Sequence, residues 1–119
     1  MQTVMVCEFL KTTHLLSPEK GKQLRDNILS LMEESDLIVL DFDGYEYISS
    51  SFFNEALGKI LIEKKLTAGK LKQIIQWKNI SEDDEIDILL SLENAEIKLR
   101  LIQRKIDPEE FYRANLPAF

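Results

Sequence analysis

Residues 37–61 read LIVLDFDGYEYISSSFFNEALGKIL, and the fold turns on how that stretch divides. Leu37, Ile38, Val39 and Leu40 are apolar on both faces of any strand, which marks a strand covered on both sides at the centre of a sheet. Asp41, Phe42, Asp43 and Gly44 form a turn cluster that stops it. A loop over residues 45–50 follows, and a helix begins around Ser51. Phe53, Ala56, Leu57, Ile60 and Leu61 recur as its buried stripe, with Gly58 allowing close approach to a neighbouring backbone. Gly69 is its expected stop.

Working outward, residues 3–10 hold Val4, Met5, Val6, Cys7 and Phe9 without helical spacing and predict a strand. Ser17-Pro18-Glu19 is a hydroxyl cap, a proline at the first helical position and an acid in the first turn, so a helix runs from there to near Glu34. Downstream, residues 72–78 with Ile74, Ile75 and Trp77 predict a third strand nearer an edge. Ser81 followed by four acids opens another helix, whose inward face is expected at Ile86, Leu89, Leu90, Ile97 and Leu101. Residues 97–101 also alternate as a strand would, but the helix formers around them decide for helix. Asp107-Pro108-Glu109-Glu110 starts a short last helix. The order β-α-β-α-β-α implies parallel strands joined by right-handed crossovers. The expected fold class is α/β, a small sandwich in one domain over residues 1–119, with about 105–119 as a C-terminal extension.

The 119 residues, 45% hydrophobic and 30% charged, suffice for one soluble domain. No apolar run approaches the ~20 residues that span a bilayer. A lone cysteine, Cys7, and the lack of a secretory leader point to the cytoplasm. A net charge of −6 disfavours nucleic acid and anionic membrane as partners. Cys7 and His14 have no companions for nucleophilic or zinc chemistry, and no cofactor or metal is expected.

Ligands and partners of an open parallel sheet meet the carboxyl ends of its strands. The richest such end is residues 41–53, with two acids, two tyrosines, three consecutive serines and two phenylalanines. Ser49, Ser50 and Ser51 stand where a loop becomes a helix. One of them, expected to be Ser51, caps that helix, a contribution of ~1 kcal/mol. Capping does not need three, and a phosphate there would meet unpaired N–H donors and form a new charged surface. Tyr45, Tyr47 and Phe52 are candidate anchors for a protein partner.

Residues 38–44 resemble the first motif of the haloacid dehalogenase phosphatases, a hydrophobic strand ending in Asp-x-Asp-Gly. That resemblance implies a magnesium-dependent phosphatase or phosphotransferase with Asp41 as nucleophile and Asp43 as general acid. Tyr45 after the glycine, the strand and helix before the motif and the lack of a later acidic metal motif favour a plain strand-ending turn.

Residues 37–61 as a whole resemble the STAS domains of anti-sigma-factor antagonists, and more closely the STAS-like proteins grouped as DUF4325. Asp41, Phe42, Gly44, Ile48, Ser49, Ser51, Phe52, Gly58 and Lys59 stand in the places of that pattern. The resemblance implies a cytoplasmic, bacterial, non-enzymatic regulator that binds a GHKL-type ATPase or kinase, or an anti-sigma-like protein. Its contact surface would be the loop and helix at 43–59, through Asp43, Tyr45, Tyr47, Phe52, Asn54, Glu55 and Lys59. It also implies phosphorylation at Ser49, Ser50 or Ser51. Ile48 stands where the antagonists have an acid, and Phe52-Phe53 replace their small glycine, so binding is the first inheritance and phosphorylation the second. The tail with Phe111, Tyr112, Leu116 and Phe119 either packs on the sheet's uncovered edge or mediates self-association as a homodimer.

Overall fold

The computed structural model describes residues 1–115. Its sheet is built on residues 38–41. Strand β3 (Ile38–Asp41) lies in the middle, flanked by β1 (Gln2–Met5) and β5 (Ile75–Lys78), both parallel to it. The expected α/β class with parallel strands is therefore the one observed, with β3 central and the third strand at an edge. Covering is complete on one side only. Ile38 and Leu40 are fully buried beside Val4 and Ile75, whereas Val39 is half-buried between exposed Thr3 and Gln76.

Several boundaries move. Residues 3–10 are not one strand: Val6–Leu10 is a helix, α1, in which Val6 and Leu10 are buried four apart. The ladder ends at Met5 because its partner strand ends opposite, at Asp41, so a longer β1 would have nothing to pair with. A second parallel pair joins β2 (His14–Leu15) to β4 (Tyr47–Ile48). Helix α2 (Pro18–Met32) starts as expected, with the Ser17 hydroxyl accepting from Lys20 N at 3.1 Å.

The helix after the serines is composite. It comprises α3 (Ser50–Phe53), a π turn (Asn54–Gly58) and α4 (Lys59–Lys64). It stops at Lys65, in the left-handed region at φ 54°, and not at Gly69. Gly69 lies inside α5 (Ala68–Ile74), which takes the first half of the expected third strand and buries Leu71. Phe53, Ala56, Leu57, Ile60 and Leu61 are buried as predicted. Phe42, Phe52 and Phe53 form an edge-to-face cluster at 6.3 and 5.9 Å between centroids.

Helix α6 (Glu82–Gln103) is capped by Ser81 and carries its four acids in the first turn, and residues 97–101 are helical. Its inward face is not the one expected. Ile88, Leu92, Ala95 and Leu99 are buried, while Ile86, Leu89 and Leu90 are exposed; of the expected set only Leu101 is buried, with Ile97 half-buried. A helix apolar on two sides offers two stripes of equal period, and only the tertiary contacts choose between them. The last helix, α7 (Pro108–Ala114), starts at the Asp107 cap and buries none of its residues completely. Leu116 and Phe119 lie outside the described residues.

Candidate functional site

The carboxyl end of β3 is organised by Asp41. This carboxylate is 7% exposed, and its Oδ1 accepts from Asp43 N at 2.9 Å and Asn79 Nδ2 at 2.8 Å. Lys78 Nζ stands 3.7 Å from Oδ2. The Asn79 amide first, and then the Asp43 N–H, hold the carboxyl below the usual aspartate range, outweighing burial. Asp41 thus ties the turn after β3 to the residue after β5, where Asn79 takes φ 60°. Gly44 at φ 88° lets the chain reverse. The carboxylate that the phosphatase reading needs as a nucleophile is engaged as the knot of this turn, and Asp43 is exposed beyond it. Among the described residues, no three His, Cys, Asp or Glu side chains cluster as a metal site.

Burial pushes the Cys7 thiol up, and the Asp43 carboxylate adds to the shift.

The loop after this turn is latched. Tyr45 donates its hydroxyl to Asp84 Oδ2 at 2.6 Å and accepts from Ser81 N at 3.0 Å. Tyr45 is therefore a strut between the loop and the start of α6. Tyr47 is 60% exposed and meets His14 edge-to-face. Phe52, expected as a partner contact, is fully buried in the aromatic cluster, and this corrects that expectation. In the first turn of a helix, only side chains pointing outward can anchor a partner, and Phe52 points inward.

The serines divide into two roles. Ser49, and not Ser51, caps the helix, accepting from Phe52 N at 3.2 Å and donating to the Leu16 carbonyl at 3.0 Å. The Ser51 hydroxyl lies 3.2 Å from that of Ser49. Ser50 is exposed and forms no side-chain hydrogen bond among the described residues.

Behind the serines, the π turn is gripped from α2. Arg25 Nη1 donates to the Glu55 carbonyl at 3.0 Å and to its Oε2 at 3.2 Å, while Lys59 reaches Oε1 at 3.0 Å. A π turn shifts the helical hydrogen-bond pattern by one residue and leaves a carbonyl for an outside donor. Burial pushes Glu55 up, but Lys59 and Arg25 outweigh it and hold the carboxyl below its ordinary value.

Ser51, Asn54, Glu55 and Lys59 line a groove of about 570 Å³. Asn94 and Lys98 of α6 line its other side, together with Tyr112 of α7. Of the residues expected at the site, the structure brings Ser51, Asn54, Glu55 and Lys59 together here. It leaves Asp43 on the neighbouring loop and Tyr47 at the start of β4. The α6 wall and Arg25 were missed; Asn94 and Lys98 stand four apart, on one helix face, among other polar residues of the same stretch.

Among the described residues, no helix is long and apolar enough to cross a membrane. A family model described as a STAS-like domain of unknown function (DUF4325) matches residues 20–85, which include α2 from Lys20 onward, β3, the serines, the π turn and β5. No curated protein and no solved structure matches the chain.

Proposed function

Since the chain belongs to the STAS-like family DUF4325, we propose that it is a non-catalytic regulatory module of the bacterial cytoplasm that binds a protein partner across residues 43–59. The observation that carries this reading is the groove over the π turn. Its volume is that of a small binding cleft, and it is lined by the polar residues that follow the family's serines. The partner that the STAS resemblance favours is a GHKL-type ATPase or kinase. Exposed Asp43 and Tyr47 on the loop and Asn54 and Lys59 on the helix offer it both charge and an aromatic anchor.

Ser50 is the best placed of the three serines for a covalent switch. Its hydroxyl is open, whereas Ser49 and Ser51 are engaged with each other and with Leu16. A phosphate on Ser50 would add negative charge at the first residue of α3, beside the partner surface.

A tagged chain recovered from its host and read by mass spectrometry tests both parts. A GHKL-type ATPase is expected with it, and partial phosphate on Ser50. Ser50→Asp should weaken that capture by roughly tenfold or more, while Ser50→Ala keeps it. Equal recovery of the ATPase by Ser50→Asp would remove the serine turn from the interface, and recovery of none would overturn the reading.

A further inference from the structure

Helix α6 has a second apolar face that the fold does not use. Ile86, Leu89 and Leu90 are 54%, 39% and 49% exposed, and half-buried Ile97 continues their line two turns later. At 3.6 residues per turn, positions 86, 90, 93, 97 and 100 run along the side opposite Ile88 and Leu92, so Glu93 and Arg100 share this side with the apolar residues. Charge is sorted along the same helix. Glu82, Asp83 and Asp87 lie at its beginning, and Lys98, Arg100 and Arg104 at its end. Among the described residues, none of these six forms an ion pair within the chain.

We propose that this face is the interface of a homodimer in which α6 packs antiparallel against α6 of a second copy. A parallel pair would set acid beside acid and base beside base. An antiparallel pair sets each acidic beginning beside a basic end and opposes the two helix dipoles. With Leu90 level with Ile97 of the second copy, Asp87 comes level with that copy's Arg100 and Asp83 with its Arg104. Glu93 then meets Asn94 and not its own equivalent. A two-fold axis makes every such contact occur twice, so one short helix face supplies a closed, self-complementary interface. This surface adjoins the groove, whose α6 wall is Asn94 and Lys98.

Sedimentation velocity on the full chain over a range of concentrations is the test. Wild type is expected to pass from monomer to dimer. Leu90→Glu, at an exposed site, should keep the circular dichroism of wild type and weaken the dimer at least roughly tenfold. Two charge-reversed chains sharpen it. Arg100→Glu/Arg104→Glu and Asp83→Lys/Asp87→Lys should each be monomeric alone and form a heterodimer when mixed in equal amounts. A wild type that stays monomeric throughout overturns the proposal. So does a dimer indifferent to Leu90→Glu, or a mixture of the two reversed chains that stays apart.

Discussion

Helices α2 and α6 press on the same composite helix, residues 50–64, from two sides, and they do it by opposite means. Helix α2 comes in backbone to backbone. A Cβ on Gly21 would stand 2.8 Å from the Phe52 carbonyl oxygen and 2.8 Å from Glu55 Cβ, so glycine alone fits there. One turn on, Arg25 clamps Glu55. Leu24 and Ile28 of α2 are both fully buried. Helix α6 meets the π turn at ordinary distance. A Cβ on Gly58 would sit 3.6 Å from Ala95 Cβ and 3.8 Å from the Ser91 carbonyl. The apolar residues of α6 are split between core and solvent. The contrast separates two kinds of helix: in α2 the fold accounts for the apolar residues, and in α6 it accounts for about half.

The largest expected effect tests that split within α6 itself. Leu92→Ala empties a fully buried site and should cost about 2–5 kcal/mol. Leu89→Ala, one turn away on the open side, should cost under about 1 kcal/mol. Both are read from urea unfolding of dilute protein, and equal losses would erase the distinction between the two faces.

A smaller effect separates the seams. In a helix interior, glycine to alanine ordinarily gains about 1 kcal/mol. Gly21→Ala should instead lose about 1–3 kcal/mol, because the atom it strikes is a backbone oxygen that cannot swing aside. Gly58→Ala meets ordinary contacts and should be neutral or gain up to about 1 kcal/mol. The opposite ranking in urea midpoints would move the tight seam from α2 to α6.

The smallest effect concerns the clamp. Glu55→Gln should cost about 1 kcal/mol at neutral pH. The folded carboxyl titrates below its unfolded value, so its contribution is complete above the unfolded value and is lost as pH falls through the folded one. The gap between wild type and Glu55→Gln should therefore hold at neutral pH and close on acidification. A gap that persists at low pH would place the loss in packing and not in charge.

What the sequence reveals here is what local chemistry decides. Ser17-Pro18 and Ser81 with its acids mark helix starts because a cap needs only the next three residues. Residues 37–40 reveal the central strand because a short apolar run that a turn cluster closes fits a strand flanked on both sides. The hidden features depend on partners far along the chain. Strand β1 stops at Met5 only because β3 stops at Asp41. Ser49 takes the cap that was expected of Ser51 because the Leu16 carbonyl, more than thirty residues away, holds its hydroxyl. The choice between the two stripes of α6 lies in the same class. At the site, Asn54, Glu55 and Lys59 were legible from the family pattern and its neighbourhood. The wall facing them was not, since nothing local says that Asn94 and Lys98 will lie across a groove.

The order β1-β3-β5 also sets a schedule for the growing chain. Strand β1 emerges first but has no neighbour until residues 38–41 have been made, with α2 as the crossover between them. Synthesis through Ile48 supplies both partners of β1·β3 and both of β2·β4. Residues 2–48 are thus the shortest stretch in which both ladders can close, with α1 and α2 between their strands. The serine turn, the π turn, β5 and α6 are made only after the partners of both ladders exist.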